Sequence, residues 1–221
     1  MGVHFTDRLG GFSSDGYSSL NLGDHVGDLP EIVAQNRKVI SDRFGNTQYM
    51  NQVHGNRVAL IEEVTHEIPT ADALVTGIHG ITLAVMVADC VPLILSSKHC
   101  VAAVHVGRKG LVNRVTEKAI EIMREISDQE ISATIGPAIC GKCYEVSQDI
   151  YDEVVASHPT CASRTNSDTP ALDLLSGLIA DLQDLGINKI DNQTRCTLEN
   201  EDLFSYRRTP VTGRQAGLVW L

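Results

Sequence analysis

The chain has 221 residues, 43% of them apolar and 21% charged, with 18 Lys+Arg against 28 Asp+Glu and a formal net charge of −10. This suits one globular domain over residues 1–221, long enough to bury a core without disulfide staples, and the acidity excludes nonspecific attachment to nucleic acid or anionic lipid through a generally basic surface. The acid is concentrated: residues 145–202 carry 12 acids and 3 bases, whereas 203–221 carry 3 bases and no acid, and that cationic segment is a place to expect an anionic ligand.

Met1–Thr6 lacks the basic-then-apolar layout of a signal peptide. The longest apolar run, Ile81–Ala88, is far short of the roughly 18–20 residues that cross a bilayer. The expectation is a cytoplasmic protein with no membrane or nucleic-acid partner, a monomer or small homo-oligomer. Its six cysteines (90, 100, 140, 143, 161 and 196) then read as thiols rather than a disulfide framework.

In chain order, helical periodicity over Pro30–Phe44 stops at Gly45, a suitable residue just past a helix end. Strands are expected at Arg57–Ile61, Ala73–Thr76, Ile81–Ala88 and Cys100–Val106. The run at 81–88 barely alternates, as a strand buried on both faces does. A helix over Leu111–Ile126 places Val115, Ala119, Ile122, Met123 and Ile126 on one stripe. A strand at Ile131–Ile135 follows, and then a helix over Gln148–Ser157 with Ser147 as its cap. The last helix, Leu174–Leu185, has Asp173 as cap and ends at Gly186. A strand at Lys189–Asn192 completes the set. The interleaving is irregular, so the fold class is α/β or α+β, with sheet layers covered by helices.

Reactive residues fall at three strand ends. In Asn51-Gln52-Val53-His54-Gly55-Asn56 the Gly-Asn pair predicts a turn and puts His54 on a hairpin shoulder. In Val87-Ala88-Asp89-Cys90-Val91-Pro92 a buried strand meets an acid and a thiol, and Pro92 limits further pairing. In Val104-His105-Val106-Gly107-Arg108-Lys109-Gly110 a strand runs into a basic turn and then a helix. Taken singly, each residue has an ordinary structural reading, and the spacing of 54, 90 and 105 is no metal motif. Together they supply two imidazoles and a thiolate, a donor set known for catalytic zinc with an open fourth position. Cys140-Gly141-Lys142-Cys143 has the spacing of a zinc half-site or redox pair, but no second short-spaced pair accompanies it, which favours packing or a loop lining the site. The arginines of Phe204–Gln215 can hold a phosphate or carboxylate, or pair with the carboxylates of 145–202.

As a set these segments resemble the YfiH-like family, formerly called multicopper polyphenol oxidases or laccase-like proteins and now treated as purine nucleoside phosphorylases. The matching pieces run end to end: Phe5–Gly11, Leu20–Gly23, Val26–Asp28, Asn36-Arg37, Gln52–Gly55, Ala71–Thr76, Ala88–Pro92, Gly136–Ile139, Cys143–Val146, Phe204–Arg208 and Gly213-Arg214. The resemblance implies a layered α/β/β/α sandwich with one Zn2+ on His54, Cys90 and His105. It implies phosphorolysis of adenosine, inosine and 5′-methylthioadenosine by inorganic phosphate, with adenosine deamination as a second activity. Where the family usually has His-Ala-Gly-Trp-Arg-Gly, this chain carries Arg108-Lys109 in place of Trp-Arg, so a forked guanidinium becomes a point charge.

On that reading Arg37, Lys109 and one of Arg207 or Arg208 are the candidates for phosphate. Asp89, beside Cys90 in the catalytic segment, is expected to relay a proton or orient a ligand imidazole. Two other chemistries use the same residues. Two histidines and a cysteine also ligate blue copper, which points to copper-dependent phenol oxidation, and Cys90 with His105 as base would make a cysteine hydrolase or amidase.

Overall fold

The run that reads apolar at every position is buried at all 7 residues of a strand, Ile81–Val87 (β5), because it lies between two different cores. Ile81, Leu83, Val85 and Val87 face one apolar cluster, while Ala84 and Met86 face another. Alternation of side chains along a strand sends neighbours to opposite faces. The computed structural model describes residues 1–65 and 67–221.

β5 belongs to a four-stranded sheet, in which it is flanked by Asn46–Gln48 (β2, parallel) and Gln215–Trp220 (β12, antiparallel), with Gly2–Phe5 (β1) outermost. The second sheet has six strands. From one edge these are Ile190–Asn192 (β11), Ser132–Ile135 (β8), Val91–Ser96 (β6), Val101–Val106 (β7), Ala73–Thr76 (β4) and Val58–Leu60 (β3). Leu83, Val85 and Val219 of the first sheet meet Leu74, Ile94 and Ala103 of the second in the core between them. The helix Pro30–Phe44 (α1) covers the outer face of the four-stranded sheet through Ile40, against Ala84, Met86, Ala216 and Leu218.

Four helices cover the other side: Arg108–Val112 (α2), Val115–Ile126 (α3), Gln148–Ser157 (α4) and Leu174–Asp184 (α5). Ala119, Ile120 and Met123 of α3 and Leu174, Leu178 and Leu182 of α5 pack on Ala73, Val75, Leu93, Leu95, Ala102 and Val104. The layers are therefore helix, sheet, sheet, helix. A small ribbon of Ala162–Arg164 (β9) and Pro170–Leu172 (β10) stands apart from both sheets. Among the described residues, no helix is long and apolar enough to cross a membrane.

Several local expectations need correction. The helix expected over 111–126 is two helices, broken where Arg114 takes φ 61°. Its buried stripe includes Ile120, whereas Ile122 is half-buried and Ile126 exposed, so the face that meets the sheet is turned toward Thr116 and Ile120. Ser147 makes no side-chain cap on α4, while Asp173 does cap α5 by accepting from the Ser176 N–H at 3.1 Å. Pro92 does not end the pairing: it sits near the start of the central strand β6, opposite His105, where its missing N–H costs the ladder little. The segment around His54 is no hairpin, because the neighbouring β2 and β3 pair in parallel with strands of different sheets.

Truncating Leu83 to Ala leaves a cavity between the sheets and is expected to cost about 2–5 kcal/mol of unfolding free energy. Ile126→Ala, on the exposed end of α3, is expected to change the denaturant midpoint far less. Equal losses for the two variants would contradict the assigned layers.

Candidate functional site

At one end of the sandwich β4 starts, β6 starts and β7 ends, and the antiparallel register Ala73↔Val104 sets Asp72 beside His105. The His105 N–H donates to the Asp72 carbonyl at 2.8 Å. His105 shares the alternation of Val101 and Ala103, which face the core between the sheets. Its ring is 3% exposed at the mouth of that core.

Asp72 is wholly buried and its carboxylate has four partners within 3.0 Å or just beyond. His105 Nδ1 donates to Oδ1 at 2.8 Å and the His54 N–H donates to Oδ1 at 2.9 Å. The N–H groups of Gly55 and Val53 donate to Oδ2 at 2.7 and 3.3 Å. Burial pushes this carboxyl up, but those hydrogen bonds outweigh it and hold it below the usual range. With Nδ1 committed to Asp72, His105 offers Nε2 as its free ring nitrogen. The same carboxylate pins the loop that carries His54, whose φ of 58° is left-handed.

The His54 and His105 rings meet edge to face, with centroids 4.7 Å apart. Cys90 Sγ lies 3.8 Å from His54 Nε2, and the donor atoms of His54, Cys90 and His105 all lie within 4.8 Å of one another. Tetrahedral zinc with Zn–N of about 2.0 Å and Zn–S of about 2.3 Å separates such a nitrogen and sulfur by about 3.5 Å. The three side chains therefore fit one metal ion. Gly107 is part of this fit: a Cβ there would stand 2.9 Å from the His54 ring and 3.1 Å from Cys90 Sγ. Burial pushes the Cys90 thiol up, but the His105 imidazolium and hydrogen bonds from both rings outweigh it and bring it down to about 6. Burial lowers His105, yet the facing Cys90 thiolate and the Asp72 hydrogen bond raise it to about 9.

The site opens into a cleft of about 350 Å³ whose walls include Gln52, Tyr144, Tyr206, Arg207 and Arg214, a size suited to a small molecule. Gln52 is locked by paired hydrogen bonds with the backbone of Met86, at 2.7 and 2.8 Å. Asp89 lines the cleft with φ 98°, and its carboxylate accepts from Thr197 Oγ1 at 2.6 Å and from the Arg207 N–H at 2.8 Å. The carboxylate that orients the His105 imidazole is thus Asp72, and Asp89 instead ties down the cationic segment. Arg207 stacks on Tyr144 at 4.8 Å and donates to the Glu145 carbonyl at 2.6 Å.

The other basic candidates point elsewhere. Arg208 is spent on the carbonyls of Thr197, Leu198, Asn200 and Leu203. Arg37 donates to the Leu22 carbonyl at 2.9 Å, pairs with Asp24 at 3.1 Å and lies over Tyr49. Lys109 is exposed beside Arg108, which pairs with Glu153 at 3.7 Å, and both line a separate surface depression. Arg214, at the end of the cationic segment, does reach the cleft. Asp72 escaped the sequence reading as a site residue. Its signal was an acid directly before an apolar strand, and it becomes informative only once β4 is known to pair with β7.

An imidazole–imidazole–thiolate cluster at the end of a double-sheet sandwich, opening into a small cleft, defines a candidate metalloenzyme. The chain belongs to the YfiH-like family: the family described as "Multi-copper polyphenol oxidoreductase laccase" matches residues 2–221. The chain is similar to the purine nucleoside phosphorylase of Corynebacterium glutamicum, with 45% identity covering 98% of this chain and 93% of the relative. It is 43% identical to one of Streptomyces coelicolor, over 100% of this chain and 96% of that one. A crystal structure of a Neisseria meningitidis protein superposes with a TM-score of 0.91 at 36% identity, covering 99% of this chain and 93% of that one.

Two outcomes test the site. Asp72→Asn removes the acceptor that orients His105 and is expected to weaken metal binding by about 10–100-fold, measured by competition with a chromophoric chelator; unchanged affinity would remove Asp72 from the site. In chelator-stripped protein Cys90 is a thiolate above its lowered pKa, so its alkylation rate is expected to reach half its plateau near pH 6. An ordinary thiol would still be climbing toward about pH 8.5.

Proposed function

We propose that this chain is a zinc-dependent purine nucleoside phosphorylase. Its substrates are adenosine, inosine and 5′-methylthioadenosine, which it splits with inorganic phosphate into free base and (methylthio)ribose 1-phosphate. Adenosine deamination is its second activity. The observation that carries this reading is the convergence of His54, Cys90 and His105 on a cleft that also receives Arg207 and Arg214, together with relatives named purine nucleoside phosphorylase along the whole chain.

Phosphorolysis joins a phosphate oxygen to C1′ and breaks the bond from C1′ to the purine nitrogen. The bonding pair leaves on the base, and the proton lost by hydrogen phosphate ends on the purine. The protein must hold a dianion, orient the sugar and stabilise charge that moves to the base. Arg207 and Arg214 are the guanidinium groups in reach of the phosphate, and forked donors suit its oxygens. Asp89 fixes the backbone of Arg207 and so its approach. Tyr144 and Tyr206 offer aromatic faces to a purine. When bound to His54, Cys90 and His105, zinc supplies Lewis-acid charge at the base of the cleft.

Zinc-replete protein with inosine and phosphate is expected to release hypoxanthine and ribose 1-phosphate. Cys90→Ala is expected to lose activity on the order of 100-fold or more, and Arg207→Ala is expected to raise KM for phosphate more than KM for the nucleoside. Failure of the zinc-loaded native protein to release hypoxanthine would defeat the proposal. Phenol oxidation by the copper-loaded form would favour the oxidase reading instead. Ammonia release from adenosine tests the second activity.

A further inference from the structure

A second group of ligating side chains lies outside the cleft. Cys140 and Cys143 share a tight turn in which the Cys143 and Tyr144 N–H groups both donate to the Cys140 carbonyl at 3.0 Å. Cys196 and Glu199 share another, closed by the Asn200 N–H donating to the Cys196 carbonyl at 3.1 Å. The two turns are 56 residues apart in the chain, yet the Cys140 N–H donates to Cys196 Sγ at 3.4 Å. Parallel bridging of Ala138 with Cys196 holds them side by side. The three sulfurs and a Glu199 oxygen all lie within 4.8 Å of one another. Cys196 is buried, Cys140 and Cys143 are half-buried, and Glu199 closes the group from the exposed side.

We infer that Cys140, Cys143, Cys196 and Glu199 form a second, structural zinc site. The geometry matches what the ion requires. A tetrahedral centre with Zn–S of about 2.3 Å and Zn–O of about 2.0 Å separates sulfur from sulfur by about 3.8 Å and sulfur from oxygen by about 3.5 Å. Cys143 Sγ lies 3.6 Å from Glu199 Oε1. Three thiolates select a borderline-soft cation over magnesium or calcium. Four protein donors leave no open position, which separates this centre from the one on His54, Cys90 and His105. The apparent lone Cys-x-x-Cys thus has its partner pair in Cys196-x-x-Glu199, where the fourth ligand is a carboxylate.

The placement also explains what the ion does. Tyr144, next to Cys143, forms a wall of the cleft, and the Glu145 carbonyl holds Arg207. Thr197, next to Cys196, holds Asp89, which in turn holds the Arg207 backbone. A metal knot between the two turns fixes both supports of the cationic wall at once.

The test is zinc per chain in protein made with added zinc and then desalted. Two ions are expected in the native protein, one in Cys90→Ala and one in Cys143→Ser, with a lower Tm for Cys143→Ser. Equal zinc in native protein and folded Cys143→Ser overturns the second site. A zinc atom that Cys90→Ala leaves in place and Cys143→Ser removes supports it while rejecting zinc at His54, so the two centres stand or fall separately. Native protein alone gives a second readout. Alkylation of Cys140 and Cys143 is expected to speed up at least tenfold on chelation, and rates that ignore the chelator overturn the inference, as does a Cys140–Cys143 disulfide in freshly purified protein.

Discussion

A single buried carboxylate holds the candidate metal centre together. Removing Asp72 from water costs several kcal/mol, and the fold offsets this with the His105 ring and the N–H groups of residues 53, 54 and 55. Each of these bonds to an ionised acceptor is stronger than a neutral one. The same four bonds place both imidazoles. One partner is a ring on β7, and the rest belong to the loop that bends His54 back over it in a left-handed conformation. Gln52 and Asn56 tie the ends of this loop to Met86 and Asn113, but Val53 and His54 between them are exposed and depend on this acceptor for their place. The strain at His54 is sustained because the carboxylate over-determines it.

The double sheet makes that arrangement possible. A strand buried on both faces has no solvent side, so a polar residue is tolerated only where the strand ends. His105 stands one residue before the end of β7, and Asp72 one residue before the start of β4. Antiparallel pairing brings those two ends together, and β6 begins beside them with Cys90 just ahead of it. The candidate metal ligands are therefore polar residues at the edge of an apolar layer, where burial is deep enough to strengthen their interactions and shallow enough to leave a mouth.

Much of this was legible in the chain, and what was missed has physical reasons. Strand β4 and helices α1 and α4 fall at their expected bounds, because Gly45, the alternation change and the polar flanks mark their ends in the local sequence. Strands β1, β6 and β12 passed unread. β1 and β12 take their stability from partners remote in sequence, as β12 at one end of the chain pairs with β1 at the other and with β5, whereas in β6 Pro92 argues against a strand that nonetheless pairs with the adjacent β7. Three apolar faces had to be covered, and periodicity shows that a face is apolar without showing which layer it meets. For the same reason Ile120 and Ile122 could not be ranked. His54, Cys90 and His105 stand out as reactive residues near strand ends, whereas Asp72 depends on register. Arg37 and Arg208 carry the right charge, but the carbonyls they bind lie in loops whose course only the fold reveals.

The net charge of −10 conceals how few charges face the cleft. Arg207, Arg214 and the His105 imidazolium contribute three positive groups, while Asp89, the Cys90 thiolate and Asp72 behind His105 contribute three negative ones. A balanced cleft would attract a phosphate dianion only weakly. A divalent ion on the two imidazoles and the thiolate would, on the proposed function, turn that balance positive. On the proposed function, metal occupancy and phosphate affinity are consequently coupled through the charge of one small cleft, and such coupling acts equally in both directions. The cationic segment 203–221 is then best understood through Arg207 and Arg214, the two of its three arginines that line the cleft, while Arg208 holds the loop on which Arg207 stands.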